Sequence, residues 1–312
     1  MVRISDIIRA EFGEGDDRRD AGLTTPENIQ RYDNILYGKE SEMQVLDVYR
    51  PKDKTGKLPV IVSVHGGGWV YGDKDRYQYY CMELAGRGFT VVNFSYRLAP
   101  EYKFPASLED TNKVFTWVLE QGEKFGLDTE QIFAVGDSAG AHILSLYLDI
   151  CTNPEYASNY KFNIPADLHI CKIALNCGQY HMGEKEMDDL TVKLMEEYLP
   201  GKGTPQELEL LCADNYITEK FPPTYIMTAE EDFLRRQAPL LYRKLQEKNV
   251  PCELHEYRSD TEEKLQHVFH LNIRAEKAKQ CNDDECNFFR KIIEEQISKQ
   301  NLTETKTGEE RE

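Results

Sequence analysis

The chain has 312 residues, 40% hydrophobic and 30% charged, enough for one large α/β domain with a sizeable core or for two small domains. A formal net charge of −17 excludes bulk electrostatic attraction to nucleic acid or to an anionic membrane. No stretch approaches the ~18 apolar residues of a membrane span, and the N-terminus lacks a long apolar signal core, so the expectation is a cytoplasmic protein. In chain order, Ile4, Ile7, Ile8 and Phe12 recur at helical spacing between charged residues and predict an amphipathic helix over Met1–Phe12. Strand patterns follow at Met43–Tyr49, Pro59–Val64, Thr90–Ser95, Gln131–Gly136, Cys171–Asn176, Thr224–Ala229 and Cys252–Tyr257. Helical patterns fall between or after them, at Asp75–Arg87, Ala106–Glu123, Ala139–Ile150, Pro239–Asn249 and Cys281–Ser298. This alternation implies crossover units and a mostly parallel sheet flanked by helices on both faces.

Two regions break the rhythm. Residues 1–33 precede the alternation, and residues 179–220, rich in Glu, Lys, Met and Leu, interrupt it between two strands. An insertion of that kind cannot lie in the sheet, so the two regions are expected to join as a lid over the strand ends. The expected organisation is an N-terminal cap segment (1–33), a core (34–298) carrying 179–220 as a cap insertion, and a flexible polar tail (299–312). The eight scattered cysteines read as buried free thiols. Cys281 and Cys286 lack the second Cys/His pair that a zinc site needs.

Two glycine-rich motifs carry the chemistry. His65-Gly66-Gly67-Gly68-Trp69 follows an apolar strand, and its glycines leave backbone N–H groups free to converge on a developing oxyanion. Gly136-Asp137-Ser138-Ala139-Gly140 joins a strand to a helix with serine at the apex, the pattern of a nucleophile elbow. Gly67, Gly68 and Ala139 are the expected oxyanion donors, and Ser138 the nucleophile. The pair of motifs is far more specific than either one alone.

With these motifs, and with Ser95-Tyr96-Arg97-Leu98-Ala99-Pro100-Glu101, Phe104-Pro105-Ala106 and Leu108-Glu109-Asp110, the chain resembles the hormone-sensitive-lipase-like esterases of the α/β-hydrolase fold from about Val45 to Asn272. The resemblance implies hydrolysis of short-chain carboxylic esters, no metal or other cofactor, and a cap built from the N-terminus plus an insertion. In this fold the acid and then the histidine follow the serine in the chain. The family's aspartate position matches Asp232, with Glu230 and Glu231 as adjacent rivals and Phe233 where relatives commonly carry proline. The family's histidine position matches His267, with His270 as runner-up, while His255 lies inside a strand pattern.

His65 and Gly66 are expected to support the glycine loop, and Asp137 to brace the elbow. Trp69, Tyr71 and His181 are candidate substrate-pocket residues. The reading is a serine carboxylesterase for small esters, acetates first, with acetylated sugars or xylo-oligosaccharides as candidate substrates. An amidase or deacetylase would use the same machinery, and a ligand receptor on the same scaffold is the rival from another class. The expected partner is a small-molecule ester, not nucleic acid or membrane. The sequence leaves a homodimer open.

Overall fold

The structure is a computed structural model and describes residues 2–183 and 187–291. Its elements in order are α1 (Ile4–Asp20), β1 (Ile29–Leu36), β2 (Val45–Pro51), β3 (Leu58–Val64), α2 (Lys74–Gly86), β4 (Thr90–Phe94) and α3 (Ala106–Phe125). They continue with β5 (Leu127–Asp137), α4 (Ala139–Thr152), α5 (Pro154–Ala157), β6 (Ile170–Asn176), α6 (Asp189–Tyr198) and α7 (Pro205–Leu210). β7 (Thr224–Ala229), α8 (Gln237–Glu247) and β8 (Cys252–Tyr257) follow, and a last helix, α9, is described over 276–291.

The eight strands form one sheet in the order β1-β2-β4-β3-β5-β6-β7-β8. From β4 to β8 all neighbours are parallel, while β2 runs antiparallel to both β4 and β1. Alternate side chains of a strand point to opposite faces, and here both faces are covered. Val60, Val62 and Val64 of β3 pack with Ile132 and Ala134 of β5 under α3, α4 and α8. Ile61, Phe133 and Val135 point the other way, against Tyr80, Leu84 and Phe289 of α2 and α9. Burial on both faces explains why the central strands read as unbroken apolar runs.

Several residues behind the resemblance hold loops rather than meet a ligand. Arg97 binds the fully buried Asp110 through its backbone N–H and its guanidinium, and reaches Glu109 at 2.8 Å.

Several boundaries differ from the sequence expectation. α1 runs on to Asp20, because Glu14–Arg18 and Asp16–Arg19 pairs and the Tyr71 hydroxyl on Asp16 carry it through Gly13 and Gly15. Residues 29–33, expected in the cap segment, belong to the sheet as the first half of β1. This edge strand is polar and half exposed, with a register break between Tyr32 and Ile35, so it lacks the apolar signature of its neighbours. β5 begins four residues early, at Leu127, and α9 begins at 276 instead of 281. Residues 292–298 and the expected flexible tail at 299–312 lie outside the described residues. Among the described residues no helix is long and apolar enough to cross a membrane.

α1 and α6 meet above the carboxyl end of the sheet. Glu197 of α6 accepts from the Ile4 and Ser5 N–H groups at 2.8 and 3.3 Å, so a carboxylate sits where the N-terminus of α1 concentrates positive potential. Arg9 ties the same helix to the Val70 and Ala99 carbonyls and to Glu101.

Candidate active site

β5 ends at Asp137 and α4 begins at Ala139, so Ser138 has no room for an ordinary turn. It adopts φ 51° and ψ −121°, a conformation that L-residues rarely hold unless their surroundings impose it. Two contacts impose it here. The Ser138 N–H donates to the Asn176 carbonyl at 2.9 Å, and Gly140 packs so tightly that a Cβ there would collide with the Val64 carbonyl oxygen.

The serine side chain points at a histidine. The Ser138 hydroxyl donates to His267 Nε2 at 2.9 Å, and His267 Nδ1–H donates to Asp232 Oδ1 at 2.6 Å. Asp232 also accepts from the Leu234 N–H at 2.9 Å and from the Thr228 hydroxyl at 2.8 Å. Burial pushes the Asp232 carboxyl up, but its hydrogen bond and electrostatic interaction with His267 and these two donors outweigh burial and hold it below the usual carboxylate range. An ionised Asp232 can only accept, which fixes the proton on Nδ1 and leaves Nε2 to accept from Ser138. Val268, directly after the histidine, sits at φ 50°, an outlier for a β-branched residue.

The glycine loop lies beside the serine. Gly67 has φ 112°, and a Cβ there would strike the Tyr71 carbonyl, so only glycine fits. Among the described residues no protein group accepts from the Gly67 or Gly68 N–H. Ala139 opens α4, so its N–H is among the helix's unpaired N-terminal donors.

His65 and Asp137 stand behind this loop. His65 Nδ1–H donates to the Gly66 carbonyl at 2.7 Å while its ring stacks on Tyr96, and burial pushes it down to about 4, so it is neutral. The Gly66 N–H donates to the Tyr77 hydroxyl at 2.9 Å, and that hydroxyl donates to Asp137 Oδ2 at 2.6 Å. One tyrosine thus couples the glycine loop to the residue before the serine.

Two cavities open on Ser138. The larger, about 320 Å³, runs under α1 and is lined by Phe12, Gly15, Asp16, Tyr71, Phe233 and His267 among others. The smaller, about 40 Å³, is an apolar slot between Ile8, Trp69, Leu190, Leu194, Leu234 and Ala139. Trp69 and Tyr71 therefore line the cavities as expected pocket residues would. His181 does not. It bonds Asp214 at 2.9 Å and lines a separate cavity with Arg243 and Lys244, because the chain after β6 turns toward α8 and away from Ser138.

Sequence reasoning missed the contributions of four residues. His142 accepts from the Trp69 indole N–H at 3.1 Å and donates to the Leu211 carbonyl at 2.9 Å, clamping the slot's tryptophan to the inserted region. The Phe233 ring lies 4.2 Å from the His267 ring, tilted by 40°, and stays largely exposed. Phe12 and Gly15 roof the larger cavity from α1, and only the helical spacing of that segment hinted at a common face.

Among the described residues, two groups hold three metal-ligand-type side chains each, Cys177 with Asp232 and His267, and His181 with Cys212 and Asp214. In both, the His–Asp pair is already hydrogen-bonded.

Comparison with known proteins gives a consistent picture. Residues 61–271 match the family described as alpha/beta hydrolase fold. The chain is 29% identical to versiconal hemiacetal acetate esterase of Dothistroma septosporum over 67% of each chain. It is 34% identical to ethyl acetate hydrolase of Pseudomonas putida, over 46% of this chain and 45% of that one. Among solved structures, an inhibited esterase B of Lactobacillus rhamnosis superposes with a TM-score of 0.85 at 22% identity, covering 96% of this chain and 99% of the other.

Proposed function

The chain belongs to the alpha/beta hydrolase fold family, in its hormone-sensitive-lipase-like carboxylesterase group, and from that premise we propose that it cleaves short-chain carboxylic esters, acetates first, through an acyl-enzyme on Ser138. It is a carboxylesterase-type serine hydrolase acting on small-molecule esters. The observation that carries the site assignment is the hydrogen-bonded run Asp232–His267–Ser138 at the junction of two cavities.

Ser138 Oγ attacks the ester carbonyl carbon while His267 Nε2 takes its proton. The carbonyl oxygen becomes an oxyanion that accepts from the N–H groups of Gly67, Gly68 and Ala139, each donor being worth roughly 10²–10³ in rate. The C–O bond to the alcohol then breaks, and His267 returns the proton to the leaving oxygen. Water attacks the acyl-enzyme with the same proton relay, releasing the carboxylic acid and restoring Ser138. Asp232 stays ionised and holds the imidazole in the required tautomer.

The slot of about 40 Å³ suits an acyl group of a few carbons, and the cavity of about 320 Å³ suits the alcohol. The latter is at the small end of ligand pockets, roughly 300–1,000 Å³, so an aryl alcohol or a single acetylated sugar is within its reach. The names of two relatives, an acetate esterase and an ethyl acetate hydrolase, support the acetyl preference. Residues 1–20 line both cavities and the inserted region lines the smaller one, so the two together act as the cap.

Ser138→Ala is expected to abolish p-nitrophenyl acetate hydrolysis with an unchanged circular dichroism spectrum, and a fluorophosphonate should label only the parent protein. Turnover should fall from acetate and butyrate to octanoate. Undiminished activity in Ser138→Ala would overturn the site assignment, and an anilide cleaved faster than its ester would replace esterase with amidase.

A further inference from the structure

The charges around the larger cavity do not cancel. Arg19 is its only cation among the described lining residues, and its guanidinium is already spent on Asp16, Asp20 and the Arg76 carbonyl. Asp16 is shared between Arg19 and the Tyr71 hydroxyl, and Asp137 accepts from Tyr77. Glu11 has no hydrogen bond or ion pair among the described residues. It lies one residue before Phe12, on the face of α1 that covers the cavity. The rings of Phe12, Tyr71, Tyr77 and Phe233 line the same space, Tyr77 from its buried floor. Phe12 and Tyr71 meet edge to face at 5.9 Å, and Phe233 stays 58% exposed at the mouth.

An unmatched carboxylate beside several aromatic rings is an environment that favours an organic cation, which gains from ring quadrupoles and from the nearby charge while losing little hydration if it is quaternary. It disfavours a carboxylate-bearing alcohol. We propose that the larger cavity selects esters whose alcohol carries an ammonium group, with Glu11, Phe12, Tyr71 and Phe233 as the specificity-determining residues. This rests on the reading that Ser138 cleaves esters with the alcohol on the α1 side, and it names the class of alcohol that reading leaves open. The short acyl group in the slot would be common to all substrates.

The test uses three thioacetates that share one acyl group: acetylthiocholine, its uncharged carbon isostere S-(3,3-dimethylbutyl) thioacetate, and the anionic S-acetylmercaptopropionate. The parent enzyme is expected to favour the cation over the isostere in kcat/KM by roughly 2- to 30-fold, the range of a cation–π contact from exposed to desolvated. The anion should be the poorest substrate. Glu11→Gln, at an exposed helix position, should fold normally and shrink the preference for the cation over the isostere several-fold. Glu11→Lys should lower the cation's kcat/KM further and raise the anion's.

A binding measurement separates the two layers of the argument. Choline should raise the melting temperature of Ser138→Ala more than 3,3-dimethylbutanol does at equal concentration, and Glu11→Lys in that background should remove the difference. If the parent cleaves p-nitrophenyl acetate but prefers the isostere to the cation, the cation proposal is wrong and the esterase reading stands. If no ester is cleaved yet choline binds through Glu11, the cation site stands and the esterase reading falls. Absence of both effects overturns both.

Discussion

Two histidines three positions apart compete for one role, and burial separates them. His267 is partly exposed and lies between Ser138 and Asp232. His270 is fully buried, neither of its ring nitrogens has a partner among the described residues, and burial pushes it down to about 3, with the nearby His267 and Arg19 acting in the same direction. A ring that resists protonation so strongly is a poor proton acceptor near neutral pH. His267→Ala is therefore expected to lower kcat by roughly 10⁴–10⁶-fold. His270→Leu should leave kcat within a few-fold and should not lower the melting temperature, because it removes two unpaired buried polar atoms. Parallel kinetics and melting curves of the two variants check this, and the opposite ranking would reassign the base. The sequence placed both histidines after the last strand but could not rank them without the family's spacing. The deciding facts, burial and the reach of Asp232, belong to folded geometry.

At the scale of elements, α1 converts the open carboxyl ends of the strands into a shaped site. Residues 11, 12, 15, 16 and 19 all line the larger cavity, one face of a helix at 3.6 residues per turn. Gly15 lies on that face, and a Cβ there would meet nothing within 4 Å. Gly15→Ala should therefore stabilise the protein by roughly 0.5–1 kcal/mol through helix propensity. Gly15→Leu should instead fill the alcohol cavity, lowering kcat/KM for 1-naphthyl acetate at least tenfold relative to methyl acetate. A ratio unchanged in Gly15→Leu would move the alcohol elsewhere. The central strands were legible because burial on both faces leaves runs such as Val60-Ile61-Val62. The edge strand β1 and the second half of α1 were not, for one shared reason. Their residues, Gln30-Arg31-Tyr32-Asp33 and Asp16-Asp17-Arg18-Arg19, are held by pairing with β2, by ion pairs within the helix and by Asp17–Arg76, and none of these leaves a periodic apolar trace.

For the molecule as a whole, two carboxyls buried beneath the site make stability depend on pH. Burial pushes Asp137 up to about 7 against the opposing bond from Tyr77. Burial likewise pushes Glu285 of α9 up to about 7, against bonds from the Asn176 amide at 2.7 Å and the Tyr80 hydroxyl at 2.9 Å. Asn176 is also the residue whose carbonyl holds the Ser138 N–H, so this network spans from the last helix to the elbow. Each acid binds its proton more tightly folded than unfolded. As pH rises from the unfolded values near 4 to about 7, the unfolded chain has already released protons that the folded one keeps. Stability then falls by up to about 1.4 kcal/mol per pH unit for each group, and levels off above 7. Asp232 acts with the opposite sign: its folded value is depressed, so the stability it contributes is present above about 4 and is lost only in stronger acid. The expected optimum is therefore on the acid side of neutrality. Growing negative surface charge drives stability the same way, so the measurement belongs at about 0.5 M salt, where the screening length is only a few ångströms. Urea midpoints of the parent protein should decline from pH 5 to pH 7 and flatten beyond. Glu285→Gln should show a shallower decline, with Asp137 alone remaining to titrate. A midpoint that climbs from pH 5 to pH 8, or a slope identical in the variant, would mean these carboxyls are ionised in the folded protein and that the network beneath Ser138 is solvated.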